Sequence, residues 1–159
     1  CHIISQIVAT FQSTGVDSLY ADIAFVSKEN LNKTVRYYSS ATFKPWKFRF
    51  GYMPAHPSFF LKNEIYKRYG YFKTDYTLCA DFDLLVRLYH THKISYTYLP
   101  KMVVKMRMGG KSNQSLKNVF LLNREILRGC LENGISSNIM FIYFKYFTKI
   151  FELFLTKNA

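Results

Sequence analysis

Ser18-Leu19-Tyr20-Ala21-Asp22-Ile23-Ala24-Phe25-Val26 is the stretch on which the fold turns. Polar and apolar residues alternate only imperfectly along it, so it predicts a largely buried strand. Upstream, Ile3, Ile4, Ile7, Val8 and Phe11 recur at helical spacing, and Gly15 ends that helix. Downstream, Thr34–Tyr38 reads as a second strand, Phe43–Phe50 as a short helix or loop, and Ser58–Leu61 as a short apolar strand. Asn63 caps a helix over Glu64–Tyr69, with Gly70 just past its end. Asp81–His90 follows as a helix with Leu84, Leu85 and Leu88 on its buried stripe. Ile94–Leu99 and Met102–Met108 read as two strands separated by Pro100, and Ser115 starts a helix that runs through Leu131 and stops at Gly134. Strands and helices alternate, which predicts an α/β protein with a mixed sheet.

The composition supports a packed core. Of 159 residues, 49% are hydrophobic and 18% aromatic, enough apolar surface to exclude disorder as the main state. Cys1, Cys79 and Cys130 are odd in number and widely spaced, which argues against a disulfide framework or zinc knuckle and fits a reducing compartment. The net charge is +12, and no Lys or Arg occurs before Lys28. Such a surface suits phosphate-bearing partners such as nucleic acid, nucleotides or anionic lipid headgroups, or is simply a solvated face. The chain lacks a starting Met and any signal-peptide pattern, and reads as a piece of a longer protein. Residues 138–155 carry aromatics around most of a helix, with Lys145, Lys149 and Glu152 on one narrow polar stripe. That pattern fits either the membrane interface or burial against the domain or a second copy.

Three segments could carry chemistry. In Cys79-Ala80-Asp81-Phe82-Asp83-Leu84-Leu85, Asp81-Phe82-Asp83 has the letters of a metal motif. On a helix, however, positions i and i+2 lie about 200° apart, so both carboxylates cannot readily face one ion. Rather than sharing an ion, one Asp faces a cleft while the other stays in the first turn, or both are helix-terminus carboxylates with no chemistry, which the residues by themselves favour. In Pro54-Ala55-His56-Pro57, two prolines hold His56 rigidly where it could bind a phosphate, a metal or an acceptor hydroxyl, or be satisfied by the backbone. In Lys105-Met106-Arg107-Met108-Gly109-Gly110-Lys111-Ser112-Asn113, a basic strand end enters a Gly-Gly loop before a helix, which suits a phosphate but lacks Walker spacing.

Taken in order, Leu19–Asp22, Gly51–Phe60, Tyr69–Phe72, Ala80–Leu88 and Met106–Asn113 resemble the C-terminal part of bacterial family 2 glycosyltransferases with the GT-A fold, closest to colanic-acid and capsular polysaccharide biosynthesis enzymes. The resemblance covers roughly residues 18–115 and rests on the order of the motifs. It implies residues 1–134 as the acceptor-side part of a Rossmann-like GT-A domain, followed by an aromatic amphipathic helix over 135–159. It implies transfer of a sugar, with inversion, from a nucleotide-diphosphate donor to a glycan or lipid-linked acceptor in cell-surface polysaccharide synthesis.

By position, Asp81 is the expected general base, although the acidic residue that often precedes it in the family is Ala80 here. Arg107, Gly109, Gly110 and Lys111 are expected to help hold the donor diphosphate, and His56 and Asp83 to lie on the acceptor side. A divalent metal, Mg or Mn, is expected in the full-length enzyme but upstream of this chain. The chain alone is therefore expected to be inactive and to bind no metal. The resemblance also implies a cytoplasmic protein at the inner membrane face; the aromatics on periodic apolar faces argue against a nucleic-acid partner, and a truncated sheet would leave a free edge that allows a homodimer. The competing readings are a basic, aromatic-rich nucleic-acid-binding module and a protein-interaction domain.

Overall fold

Strand β1 (Ser18–Val26) is the centre of a four-stranded mixed sheet. In the computed structural model, residues 2–109 and 115–146 are described. Along one edge, β1 pairs in parallel with β4 (Tyr96–Arg107) from Ser18 to Val26. Its other edge is shared: β3 (Phe59–Leu61) pairs antiparallel with residues 18–20, and β2 (Thr34–Tyr38) pairs antiparallel with residues 23–26. Every β1 residue except Phe25 is buried, which explains the imperfect alternation: both faces are covered, and neither can be uniformly polar. The α/β class with a mixed sheet is as expected.

The helices are α1 (His2–Thr14), α2 (Asn63–Tyr69), α3 (Ala80–Val86) and α4 (Leu116–Glu132), with residues 139–146 helical as well. Ser115 caps α4 by accepting the Asn118 N–H at 3.1 Å, as its sequence position predicts. Asn63 is not a cap: Lys62 holds the cap position, and Asn63 is already helical. The helix expected over Asp81–His90 ends its α-helical part at Val86 and widens into a π turn over Arg87–Thr91.

The two strands expected around Pro100 are one strand. Its pairing slips between Tyr20↔Tyr98 and Asp22↔Met102, which places Pro100 in a bulge where no ladder N–H is needed. No other strand among the described residues covers the far side of β4, so Pro100 stands on an edge.

An aromatic layer fills the space between sheet and helices. Tyr20 on β1 lies 5.7 Å from Phe43 and 6.4 Å from Tyr89, while Phe48 lies 5.6 Å from Phe82 in an edge-to-face arrangement. Leu84, Leu85 and Leu88 are fully buried beneath it, each contributing about 1.5–3 kcal/mol by leaving water. Cys79 and Cys130 are buried free thiols. No helix among the described residues is long and apolar enough to cross a membrane.

One buried charge sits within the sheet. Asp22 accepts the Ser40 N–H at 2.7 Å and the hydroxyls of Tyr37 and Tyr98 at 2.6 and 2.7 Å. The carboxylate pushes the Tyr37 phenol up to about 12, so that hydroxyl stays protonated and donates. Asp22 thus ties β2 and β4 to the central strand from both sides. Replacing it with Ala leaves the buried Ser40 N–H unanswered; Asp22→Ala should lower unfolding free energy by about 1–3 kcal/mol, read from urea denaturation.

Candidate functional site

The loop before α3 is held by one carboxylate. Glu125, on α4 and 6% exposed, accepts the backbone N–H groups of Thr77, Leu78 and Cys79 at 2.8, 2.8 and 2.9 Å. Three charge-assisted hydrogen bonds to consecutive amides fix where α3 begins. Asp81 follows in the first turn, its Oδ1 accepting the Phe82 N–H at 2.8 Å. From there Asp81 lines a groove of about 1060 Å³, at the upper end of the range for ligand clefts.

Burial raises the Asp81 carboxyl above the usual carboxylate range, and His56 opposes part of that rise. Burial lowers His56 below the usual imidazole range, with Asp81 opposing in turn. The two side chains are therefore electrostatic neighbours, although His56, unlike Asp81, is not among the residues that line the groove. His56 stacks on Phe59 at 5.9 Å and meets Phe72 edge-on at 5.6 Å, and its buried Nδ1 makes no hydrogen bond. Its loop is anchored by Ser58, whose hydroxyl donates to the Ala21 carbonyl of β1 at 2.6 Å.

The rest of the groove comes from four places, one of them α4 with Leu122 and Ile126. The β2 edge and the loop after it supply Arg36, Tyr38 and Ser40; the 3₁₀ turn Pro45–Phe50 and its exit supply Trp46, Lys47, Gly51 and Tyr52; the last described helix supplies Phe144 and Lys145. Gly51 has φ +73°, and a Cβ there would come within 3.1 Å of Ile126 and 3.4 Å of the Lys145 ammonium. A glycine at this position both allows the left-handed turn and leaves room for Lys145. Lys145 and Asp81 both act on Cys79, the cation lowering and the carboxylate raising its thiol. Burial dominates and carries that thiol up to about 12.

Of the two readings of the aromatic helix, Lys145 follows burial against the domain. It is 6% exposed and turned into the groove, so it does not form a water-facing stripe of an interfacial helix. Ile142 beside it is fully buried, because this turn packs onto the core. The remainder of the expected helix, 147–155 with Lys149 and Glu152, lies outside the described residues.

Asp83 corrects an expectation. It does not line the groove and is fully buried, its Oδ1 accepting from Lys73 and from Asn133 at 3.0 Å each, with Arg87 Nε 3.7 Å from its Oδ2. The two Asp residues diverge because helical geometry turns i and i+2 to opposite sides, and Asp83 became a cross-link between α3, the Lys73 loop and the end of α4. Among the expected phosphate contacts, Arg107 stands exposed at the end of β4, opposite Val26, and neither it nor Gly109 lines the groove. Gly109, at φ +110°, instead lies against Lys28, whose Cε would be 2.6 Å from an added Cβ. Gly110 and Lys111 lie outside the described residues.

Sequence reasoning missed Glu125, Arg36, Trp46 and Lys47. Glu125 left a signal: it is a charge beside Leu122, Ile126 and Gly129, inside the apolar face of α4.

Losing the Glu125 clamp should loosen the start of α3 and nothing else nearby. In Glu125→Ala, amide hydrogen exchange at Thr77–Cys79 should accelerate at least about tenfold, since each lost bond to a charged acceptor is worth about 1.5–3 kcal/mol. Alkylation of Cys79 by iodoacetamide should rise while Cys130, held beneath the Phe48 carbonyl, stays unreactive. Comparison of the chain with protein-family models, curated proteins and solved structures returned no match.

Proposed function

We propose that this chain forms the acceptor side of an inverting glycosyltransferase of the GT-A type, with Asp81 as the general base. The observation that carries the reading is the Asp81 carboxylate, set by a clamped loop at the wall of a deep groove and made more basic by burial. An alcohol is a weak nucleophile near neutral pH. A carboxylate within hydrogen-bond reach takes its proton as the oxygen bonds to the anomeric carbon, and the nucleoside diphosphate leaves with the electron pair of the broken C–O bond. One such carboxylate suffices for a single displacement. A glycosidase instead needs two flanking carboxyl groups, and Asp83 is turned away and buried.

The groove walls suit a sugar. Trp46, Tyr38 and Tyr52 offer aromatic surface to the C–H face of a pyranose ring, while hydroxyl and cationic groups between them can answer its oxygens. His56, which acts electrostatically on Asp81 and is held by its ring contacts, would in this reading steady that carboxylate.

A metal centre does not fit the described residues: among them no three His, Cys, Asp or Glu side chains stand close enough to share an ion. Under this reading the donor nucleotide and its cation belong to the nucleotide-binding part of the enzyme. Cell-surface polysaccharide synthesis at the cytoplasmic face of a membrane is the setting this chemistry would serve.

Asp81→Asn keeps the shape and removes the base. In the enzyme that carries this chain together with its nucleotide-binding part, release of nucleoside diphosphate should fall by about 10²–10⁴-fold while donor binding persists. Near-normal turnover would end the assignment. The carboxylate is the active form, so kcat/KM should rise with pH through the Asp81 pKa. That acid limb should lie above the ordinary carboxylate range, because burial raises the folded-state value.

A further inference from the structure

The last described helix is turned inside out for a surface that meets only water. Over residues 139–146 its one charged side chain, Lys145, is buried together with Ile142, while Met140 and Phe144 face outward at 78% and 53% exposure. These two are one helical turn apart, so they share a face. A water-facing helix keeps its charges outside and its apolar stripe inside. Burial against the domain accounts for the inner side of this helix and leaves the outer side unexplained.

That outer side continues onto the neighbouring 3₁₀ turn. Phe144 and Phe141 stand 6.1 and 5.4 Å from Phe50, and Phe50 stands 6.1 Å from Trp46, which is 62% exposed. The two halves are pinned to each other. The Ser137 hydroxyl donates to the Arg49 carbonyl at 2.6 Å, and the Arg49 guanidinium donates to the Ser136 carbonyl at 3.3 Å. The apolar side chains therefore form one fixed ledge rather than scattered single exposures. Cations sit among its rings, Lys47 over Trp46 at 5.8 Å and Arg49 over Phe141 at 5.0 Å. The segments that build the ledge, residues 44–53 and 138–146, contain no Asp or Glu.

We propose that this ledge is a docking surface for an anionic lipid bilayer, on which the protein lies without crossing it. Met and Phe side chains suit the acyl boundary, and an indole suits the headgroup level. Basic side chains among them reach lipid phosphates over their own apolar stems. A second copy of the chain fits less well, because a two-fold contact would set this basic ledge against another. Trp46, Phe50 and Phe144 also line the groove, so docking would hold the mouth of the groove beside the headgroups. The proposal needs no role for Asp81 and is independent of the sugar-transfer reading.

Trp46 is the only tryptophan in the chain, so its emission reports on the ledge directly. The full chain should be mixed with vesicles of phosphatidylcholine alone and of equal parts phosphatidylcholine and phosphatidylglycerol, with binding read by co-sedimentation. Binding to the mixed vesicles should be at least about tenfold tighter. On those vesicles the Trp46 emission should shift to the blue, and lipids brominated high on the acyl chain should quench it. The doubly substituted Met140→Gln, Phe144→Gln chain keeps the net charge and alters only exposed side chains. It should keep the circular dichroism of the parent and bind the mixed vesicles at least about tenfold more weakly.

Binding to the mixed vesicles no tighter than to phosphatidylcholine alone would overturn the proposal outright. Tighter binding with neither shift nor quenching at Trp46, or binding that the double substitution leaves unchanged, would overturn it in favour of adsorption by net charge. A chain that is dimeric without lipid and monomeric after the double substitution would overturn it in favour of a second copy.

Discussion

The carboxylate of Glu125 and the three amides it holds are the interaction on which the candidate site depends. Thr77, Leu78 and Cys79 approach α3 with no side-chain cap of their own, and the residue at the cap position is a cysteine that cannot supply a strong acceptor. Without an outside acceptor, these N–H groups would be orphaned next to the core. Glu125 reaches across from α4 and answers all three. The position of Asp81 is thereby set by a different helix from the one that carries it. Moving α4 relative to α3 would move Asp81 relative to the groove, so packing between these helices sets where that carboxylate stands.

A second buried carboxylate does for the sheet what Glu125 does for the loop. Asp22 gathers a backbone amide and two phenols from segments on either side of β1. Ser58 adds a bond from the His56 loop to the same strand. The β2 wall of the groove and the His56 loop are therefore both referenced to β1. Rigidity of this kind matters for general-base chemistry, where a misplacement of about an ångström costs orders of magnitude in rate.

Much of the architecture was legible before the coordinates. Ser18–Val26 announced a two-sided burial that only a central strand has, and Ser115 with Asn118 set the start of α4 as capping rules require. Asp81 and His56, 25 positions apart, influence each other electrostatically, but only Asp81 lines the groove, and no spacing in the sequence signals either fact. Pro100 misled because a proline in a run reads as a break, whereas an edge strand absorbs it as a bulge. Asp83 and Lys145 misled for a deeper reason. Their letters say charge, and charge in a sequence reads as surface; only the tertiary partners Lys73 and Asn133, or the space left by Gly51, show that each is buried. The groove itself could not be read at all, since its walls come from five separate segments with no shared pattern.

The parallel ladder between β1 and β4 has a further consequence for how the chain is made. Ser18 and Tyr96 are neighbours in space but lie 78 residues apart along the chain, as do the partners Asp17 and Ser95 beside them. At a synthesis rate of about 5–20 residues per second, the apolar central strand leaves the ribosome several seconds or more before its longest partner exists. During that interval its backbone groups and side chains are open to any other nascent strand. The molecule should belong to the slow-folding, high-contact-order class that leans on chaperones while it is being born.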